Sequence, residues 1–453
     1  MPSSSQEITL TILPVDIICY LALNYLDYQS AVNLFKEIII KHFSLQHALT
    51  SNEDLFDELK KFRSSHPYNQ CENVRKQLFP KIAAGDYVSF YFLPSEGWFV
   101  WGSKDAEQLT GIRSNRPQKL KLPFESLSSQ FWQKPQLNIV DIACYSSRTF
   151  FLTSEGKIYQ TGKDFRDRNI SPPLKFVKEL DSKKIVKLAL GNNHILALTD
   201  NGQVYSWGNN DCGQLGLEQH DDCNIPQLIT AFKKIRITAI FAGRSTSFCL
   251  SEEGEVYAFG DNEASQLGLE NVKMCIKPQL IPAFKDKKII SIACGYSHTL
   301  FLSYENEVFS TGLNISGALG IIGLRSTKKP TLIDSLRHKK ITMITTCLTH
   351  TVCVDEQGKV YSFGRDYSQE SLISAGFGIP KLVPIPEGEV ITAVTAGIYH
   401  VLCLSKKGEL YSFGSNTHTQ LGHEEKKPHK VTFSTNLVTN DSALQESLIL
   451  NKK

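Results

Sequence analysis

Short apolar runs of five or six residues, separated by glycine or by acidic turn residues, recur along the chain from about residue 81. The clearest copy is IISIACGYSHTLFLSYENEVFSTG at 289–312, in which two apolar runs, a polar turn and a third run follow one another. Short runs rich in β-branched and aromatic residues predict β-strands. Tetrads such as DNGQ and EEGE place glycine where a hairpin requires positive φ. Each copy therefore predicts three antiparallel strands.

A fourth strand is predicted after the third run. Five copies continue into a Pro-x-Leu-Ile-like segment, which begins at Pro226, Pro278, Pro330, Pro380 and Pro428. Proline suits the first residue of a strand or an edge strand, because no ladder hydrogen bond is lost there. Each copy of roughly 50 residues thus predicts a four-stranded antiparallel sheet.

The glycine that closes the third run marks seven copies, at Gly102, Gly162, Gly208, Gly260, Gly312, Gly364 and Gly414. The intervals are 60, 46, 52, 52, 52 and 50 residues. A fixed period of this size indicates a solenoid, a propeller or an array. Helical solenoids are excluded because no 3.6-residue periodicity runs through the copies. Small sheets that cannot bury both faces alone can pack as blades in a ring.

The predicted fold is therefore mainly β, a seven-bladed β-propeller over residues 81–431 followed by a tail at 432–453. We also expect Pro428–Val431 to join the first blade beside residues 81–102, which would close the ring by joining the two ends of the chain.

The repeated unit resembles the repeat of the regulator-of-chromosome-condensation family, whose fold is a seven-bladed β-propeller. The shared motif is an apolar strand, Gly, His three residues later, then G-x-V-Y-x-W/F-G and Q-L-G. The histidine is present at His194, His298, His350 and His400, and the glycine is replaced at Tyr145 and Cys347. Equivalent positions on successive blades serve the scaffold, so we interpret these histidines as core or turn residues with satisfied hydrogen bonds.

The first 80 residues lack the repeated pattern of short apolar runs that predicts the blades. Residues 13–43 read as two short amphipathic helices, with Pro14 in the first turn and Asp27 or Ser30 as the cap of the second. We predict a helical module at 1–50 and a helical linker at 51–80.

The module resembles the F-box, which opens Leu-Pro-x-Glu/Asp-Ile, here LPVDI at 13–17. The tryptophan familiar near the end of that motif is missing, and a plain helical cap on the propeller is the alternative. The resemblance implies a substrate receptor that docks on a Skp-type adaptor and cullin by a helix-in-groove contact, while the propeller binds an unknown protein substrate. The adaptor-contacting residues it implies are Leu13, Pro14, Ile17, Leu21, Leu26, Leu34 and Phe35.

A second function stays open, since the founding member of the propeller family promotes nucleotide release from the small GTPase Ran. Exchange there depends on one face and on a wedge hairpin. The longest interval here has its extra residues at 109–136, where Arg113 and Arg116 are candidates for such a wedge. The alternative is that the extra residues form an ordinary loop of the blade whose sequence has diverged, because insertions in surface loops cost little stability.

Four lysine pairs precede the first strand of four successive copies, and ring geometry would place them on one face as a basic arc. An acidic partner, a phosphoinositide head group or nucleic acid would suit such an arc, whereas solvated loop lysines are the alternative. Nucleic acid is disfavoured because no aromatic stacking pattern accompanies the charges. The pairs are Lys183, Lys184, Lys233, Lys234, Lys287, Lys288, Lys339 and Lys340.

Net charge and cysteine pattern narrow the classes of function that remain possible. The net charge is only +3, so no global field selects nucleic acid. The eleven cysteines show no C-x-x-C pair. Cys249, Cys353 and Cys403 share a repeat position with Ala or Phe, and Cys144 and Cys294 share another, which indicates core packing and a reducing compartment.

No phosphate-binding, nucleophile-elbow or zinc-protease motif is present, and no acid, base and nucleophile stand outside the repeat frame. We therefore expect no catalytic residue, no metal and no cofactor. No apolar stretch long enough to span a membrane and no signal peptide is recognisable, which predicts a cytoplasmic or nuclear location. The same layout also suits a protein that an intracellular bacterium exports into the host cytosol.

Overall fold

The computed structural model of the chain describes residues 81–93, 97–102, 116–120, 138–145, 148–162, 174–364, 378–425 and 428–432. They form seven four-stranded sheets, each made of four consecutive strands. Blade 1 contains β1 (Lys81–Ala84), β2 (Val88–Leu93), β3 (Gly97–Gly102) and β4 (Gln118–Lys119). Blade 2 contains β5 (Ile139–Tyr145), β6 (Arg148–Thr153), β7 (Ile158–Gly162) and β8 (Lys175–Phe176). Blade 3 contains β9 (Ile185–Leu190), β10 (His194–Thr199), β11 (Val204–Gly208) and β12 (Cys223–Leu228).

The remaining blades follow the same order. Blade 4 contains β13 (Ile237–Ala242), β14 (Thr246–Ser251), β15 (Val256–Asp261) and β16 (Met274–Leu280). Blade 5 contains β17 (Ile289–Cys294), β18 (His298–Ser303), β19 (Val308–Leu313) and β20 (Ser326–Leu332). Blade 6 contains β21 (Ile341–Thr346), β22 (His350–Asp355), β23 (Val360–Gly364) and β24 (Lys381–Leu382). Blade 7 contains β25 (Ile391–Ala396), β26 (His400–Ser405), β27 (Leu410–Gly414) and β28 (His429–Lys430).

The blades form a closed ring around their first strands. In the order β1, β5, β9, β13, β17, β21, β25, each first strand contacts the next, and β25 contacts β1. All pairings within a blade are antiparallel, as the register of β13, β14, β15 and β16 illustrates. The predicted seven-bladed propeller of four-stranded blades is confirmed for the described residues.

The antiparallel order gives the ring two distinct faces. The turns between first and second strands and the loops between third and fourth strands lie at one end, here called the turn face. The hairpins between second and third strands and the links to the next blade lie at the other end, here called the hairpin face. Gly202 has a φ of 83° in the hairpin of blade 3, and Asn306 has a φ of 64° in the hairpin of blade 5, as the turn prediction requires.

The fourth strands differ in length between blades. They span six or seven residues in blades 3, 4 and 5, where Pro226, Pro278 and Pro330 lie within them, and only two residues in the other blades. Part of the 109–136 segment is β4, because Gln118 and Lys119 pair with β3. That part of the long interval is therefore an outer strand of blade 1.

The predicted closure of the ring by Pro428–Val431 is wrong. β28 pairs with β27 of its own blade, and blade 1 has four strands of its own. Side chains close the ring instead. Val431 packs in one apolar cluster with Tyr91, Phe99 and Trp101 of blade 1, together with leucines of blade 7. Blades 1 and 7 meet face to face, without exchanging a strand.

The second strand of a blade is buried on both sides. Every residue of β10, β14, β18, β22 and β26 is buried, because the two faces of each of these strands pack against the two neighbouring blades. Aromatic rings fill the junctions, and Phe248 of blade 4 meets Phe301 of blade 5 edge to face at 5.7 Å. Core packing therefore runs between blades rather than within one blade.

A buried polar link joins successive blades at the repeated histidine. His400 Nε2 lies 2.7 Å from Ser89 Oγ of blade 1, and the Ser89 hydroxyl donates to the Gln420 carbonyl oxygen of blade 7 at 2.8 Å. Since the hydroxyl proton is used there, His400 Nε2 must carry the donated proton. His194 and His298 make the same link to Ser247 and Thr351 of the following blades. The interpretation of the four histidines as core residues is confirmed by their burial. The expectation that their hydrogen bonds are satisfied holds only in part, because Nδ1 of His194 and Nδ1 of His400 are buried without a hydrogen-bond partner among the described residues.

Four blades, numbers 1, 2, 4 and 6, lack the link. Blades 1 and 2 have Val88 and Arg148 in the histidine position. Blade 4 has Thr246 in the histidine position. The Thr299 hydroxyl of blade 5, which a histidine at position 246 would contact, has no hydrogen-bond partner among the described residues. After His350 the next blade offers Val401, which has no hydroxyl. His350 Nε2 instead contacts Ser362 Oγ of its own blade, so blade 6 lacks this polar link to blade 7.

The cysteines pack largely as expected. Cys249, Cys353 and Cys403 are fully buried, and burial raises the pKa of each thiol well above its ordinary value. Cys144 and Cys294 differ from the prediction, because they are only partly buried and line the central cavity of the ring. All nine cysteines of the described residues are free thiols.

Replacing Thr351 with Val should lower the free energy of unfolding by about 1–3 kcal/mol, because buried His298 and the Ala318 carbonyl both lose their partner. Thr299→Val is the matched control at the same position of blade 5. Its hydroxyl has no partner, so its removal should be neutral or stabilising. Urea unfolding of the two variants gives the comparison, and equal losses would contradict the proposed role of the link.

Acidification should destabilise the propeller through the same histidines. Burial lowers the pKa of His194 and His298 to about 4 and that of His400 to about 3, from an ordinary value of 6.5. Between these pH values the unfolded chain binds protons at the histidines and the folded chain does not. The free energy of unfolding therefore has its full value above pH 6.5 and falls progressively as the pH is lowered toward about 4. Melting temperature measured across this range tests the expectation. A His194→Gln variant should show a shallower fall, and an unchanged slope would count against it.

Candidate functional site

The seven first strands end together around a central cavity of about 170 Å³ that opens on the turn face. Every blade contributes to its wall. The polar and aromatic members of the lining are Asp86, Tyr145, Tyr296 and Thr346, and the others are cysteines and small or aliphatic residues at strand ends. The turns that follow these strand ends form the margin of the cavity, here called the turn rim.

Backbone hydrogen bonds tie neighbouring turns of the rim to each other. The amide of Asn192 donates to the Arg244 carbonyl at 3.1 Å, that of Tyr296 to the Leu348 carbonyl at 3.0 Å, and that of Leu348 to the Ile398 carbonyl at 3.1 Å. Each bond joins one blade to the next. The turns of blades 3 and 4, and those of blades 5, 6 and 7, are therefore held together, and their side chains start from defined backbone positions.

The repeated glycine at the start of each turn explains why the rim and the histidine link occur together. A Cβ on Gly295 would lie 2.2 Å from Cε1 of His298, so the imidazole occupies the space of the missing side chain. Cys347 replaces this glycine in blade 6, where His350 makes its bond within its own blade. The glycine is thus needed for close approach of the histidine ring.

The rim presents four tyrosines and one arginine. The Arg244 guanidinium lies 4.0 Å from the centre of the Tyr296 ring. Tyr87 stacks on Tyr399 with ring centres 5.6 Å apart, and its other neighbour is His418 at 4.1 Å. These pairs come from different blades, since 87 belongs to blade 1, 244 to blade 4, 296 to blade 5 and 399 to blade 7. Preformed aromatic pairs of this kind lose little conformational entropy when a partner covers them.

The charges of the rim are close to the tyrosines. Asp86 is only 8% exposed. Burial raises the pKa of the Tyr145 hydroxyl well above its ordinary value, Asp86 adds to the rise, and Arg244 opposes it. Burial also raises the pKa of Tyr87, with Tyr399 as the next cause. Both hydroxyls therefore stay protonated and can donate hydrogen bonds to a bound group.

The chemistry of this arrangement suits binding. Tyrosine and arginine supply much of the energy at protein interfaces, and they do so best where packing fixes them in advance. Among the described residues, no three His, Cys, Asp or Glu side chains lie together in a way that could hold a metal ion. No helix in that part of the chain is long and apolar enough to cross a membrane.

The predicted lysine arc lies on the opposite, hairpin face, and carboxylates lie among its members. Lys287 pairs with Glu307 at 2.5 Å, and Lys340 pairs with Glu356 at 3.0 Å. Lys339 lies 4.5 Å from the centre of the Tyr361 ring. Lys183, Lys184, Lys233, Lys234 and Lys288 also precede first strands on this face. The charge of the face is therefore mixed, and a role for the arc in binding stays a prediction.

The other predicted site residues lie mostly outside the described residues. This holds for Arg113 and for the F-box-like residues Leu13, Pro14, Ile17, Leu21, Leu26, Leu34 and Phe35. Arg116 is described and exposed, two residues before β4. A wedge and an adaptor contact therefore stay predictions.

Sequence reasoning missed the turn rim. The signal was present in the two positions after the repeated glycine. In the five copies that keep this glycine, these positions read Asp-Tyr, Asn-Asn, Arg-Ser, Tyr-Ser and Ile-Tyr, while the residues around them repeat. A position that varies inside a repeated frame is not needed by the scaffold. It is free to carry specificity.

Comparisons with known proteins agree with the fold. Residues 55–372 match the family model of the RCC1-like domain, and residues 391–420 match that of the regulator of chromosome condensation (RCC1) repeat. The structure of Prp20p from Saccharomyces cerevisiae, described with its binding properties to Gsp1p and histones, has a TM-score of 0.58 at 20% sequence identity, over 81% of this chain and 85% of that chain. At this identity the similarity concerns the fold alone.

Two human relatives match part of the chain. The E3 ubiquitin-protein ligase HERC2 is 34% identical over 283 residues, covering 59% of this chain and 6% of that protein. The X-linked retinitis pigmentosa GTPase regulator is 30% identical over 300 residues, covering 53% of this chain and 29% of that protein. The chain therefore spans less than a third of either relative.

Scaffold and presented residues of the rim should respond differently to substitution. Gly295→Ala should cost about 1–3 kcal/mol, because the new Cβ displaces the buried His298 ring. Its neighbour Tyr296 is 37% exposed, so Tyr296→Ala should cost at most about 1 kcal/mol, the size of its cation–π contact with Arg244. Denaturant unfolding distinguishes the two. A larger loss for Tyr296→Ala would make that tyrosine a structural residue.

Proposed function

Because the chain belongs to the family of proteins with an RCC1-like domain, we propose that it is a non-catalytic protein-interaction scaffold whose turn rim binds a partner protein. The observation that carries the proposal is the rim itself, with Tyr87, Tyr145, Tyr296, Tyr399 and Arg244 around the mouth of the cavity, where Arg244 pairs with Tyr296 and Tyr87 stacks on Tyr399. A rigid set of aromatic and guanidinium groups fits a protein partner because little ordering is left to be done on binding.

The finer form of this proposal is a substrate receptor of a Skp–cullin–F-box ubiquitin ligase. The F-box-like residues at 13–35 would dock on the Skp-type adaptor, and the propeller would present the substrate to the ubiquitin-transferring subunits. The similarity to the E3 ubiquitin-protein ligase HERC2 supports a ubiquitin-related role, although the chain covers 6% of that protein. In this role the chain itself makes and breaks no bond.

A second candidate is a regulator of a Ran-like small GTPase. It is favoured by the similarity to a protein named as a GTPase regulator, and by exposed Arg116 beside the outer strand of blade 1. Arg113 and Arg116 would then act as part of a wedge that releases nucleotide.

The receptor role predicts that the purified full chain binds a Skp-type adaptor in complex with cullin. A Leu13→Ala/Pro14→Ala variant should weaken binding at least about tenfold, because both side chains would lie in the adaptor groove. Tyr296→Ala should bind the adaptor like the unaltered chain, since the rim is assigned to the substrate. Biolayer interferometry with immobilised adaptor complex measures the dissociation constants of the unaltered chain and of the two variants.

Adaptor binding that survives the double substitution, or none by the unaltered chain, would remove the receptor role. Release of GDP from a Ran-like GTPase then decides the second candidate, with Arg113→Ala/Arg116→Ala as the variant expected to slow it. For the rim, a photo-crosslinking side chain at 296 should capture the bound substrate, and the same side chain at 234 on the hairpin face should not.

A further inference from the structure

The loop between the third and fourth strands of blade 5 is built like its counterpart in blade 4. Asn314 Oδ1 accepts from the Leu319 amide at 2.9 Å, and its amide nitrogen donates to the carbonyls of Ile321 and Leu324 at 2.8 and 2.7 Å. Asn262 makes the corresponding bonds in blade 4, to Leu267, Leu269 and Val272. The two loops therefore have the same framework.

The side chains that these loops expose differ sharply. Ile322 of blade 5 is 67% exposed, and the same position holds Glu218 in blade 3 and Glu270 in blade 4. Ile315 is 42% exposed, and its position holds Asp211 and Glu263 in those blades. Since a carboxylate fits both positions of the same framework, the fold does not require isoleucine at either. Two exposed isoleucines in place of acids point to a contact with something outside the chain.

Two further apolar side chains extend this surface. Leu324 on the same loop is 47% exposed, and Ile379 of blade 6 is 48% exposed. Ile379 lies nearby because Gly378 approaches the loop, such that a Cβ on Gly378 would be 3.3 Å from the Ile321 carbonyl oxygen. Ile315, Ile322, Leu324 and Ile379 are here called the blade 5 patch.

Only basic groups of the same loop and strand flank the patch. Arg325, Lys328 and Lys329 are exposed, and no Asp or Glu occurs between residues 308 and 333. The corresponding stretch of blade 3 carries Asp221 and Asp222. Blade 5 thus combines exposed apolar side chains with positive charge, where blade 3 is polar and acidic.

We propose that the blade 5 patch docks a short linear segment of a partner protein in which apolar side chains stand beside Asp or Glu. The apolar side chains would cover Ile322 and its neighbours, and the carboxylates would face Arg325, Lys328 and Lys329. The small extent of the patch, one loop and one adjoining residue, suits a peptide segment rather than a bilayer. The surface lies apart from the turn rim, so this inference stands independently of the proposed function.

The test selects peptides from a random display library on the full-length chain and measures their dissociation constants. Selected peptides should combine Leu, Ile or Phe with Asp or Glu, and their binding should weaken as salt rises. Ile315→Glu/Ile322→Glu, which installs the acids of blade 4 on the same framework, should raise the dissociation constant at least about tenfold. Ile225→Glu is the matched control, because Ile225 is 53% exposed on the outer strand of blade 3, and it should change nothing. Lys328→Gln/Lys329→Gln should weaken binding and flatten its salt dependence.

Several results would overturn the proposal. These are failure to enrich any peptide, enrichment of basic peptides, and equal binding by the Ile315→Glu/Ile322→Glu variant. Loss of peptide binding in Arg244→Ala alone would assign the peptides to the turn rim. Sedimentation of the unaltered chain as a dimer that Ile322→Glu dissociates would make a second copy the occupant. Binding to phosphatidylserine vesicles in place of peptides would make it a lipid surface.

Discussion

Burial of the second strand of every blade between two sheets is the constraint on which the rest of the propeller depends. A blade taken alone would leave both faces of that strand in water, so each blade is stable only between its neighbours. β10, β14, β18, β22 and β26 are buried along their whole length for this reason. The histidine links then fix how neighbours meet, because each joins a ring nitrogen, a hydroxyl and a carbonyl across a junction from which water is excluded.

The same regularity separates the residues that build the ring from those available to act. In blades 3, 5 and 7 the glycine and histidine of the turn have no freedom, since the histidine ring occupies the space of the side chain that glycine lacks. The residues that follow the glycine, such as Arg244 and Tyr296, contribute to the frame chiefly through backbone hydrogen bonds, and their side chains contact each other at the surface. Blade 5 shows this separation again at its outer loop, where Asn314 holds the framework and Ile322 is not required by it. Both candidate surfaces arise where a repeated frame carries a residue that does not repeat.

Sequence alone could predict the blades because their causes are local. Apolar runs, hairpin glycines and edge prolines each report on a few neighbouring residues, and together they identified the strands. Local sequence patterns could not predict how the ring closes. Whether β28 pairs with β27 or with blade 1 depends on contacts between segments that are far apart in the sequence. The rim escaped for the same reason: Tyr87 and Tyr399 are 312 residues apart in sequence, and only the closed ring places their rings 5.6 Å apart.

The consecutive order of strands within each blade means that the junction between blades 7 and 1 is of the same kind as the other six. Among the described residues, no covalent link joins the two blades directly at that junction. They are held together by the apolar cluster of Tyr91, Trp101 and Val431 and by the hydrogen bond from His400 to Ser89. The polypeptide thus has no privileged starting blade. The described blades form a closed ring, so a circular permutant of these blades that opens the chain at another blade junction would contain the same strand pairings within every blade.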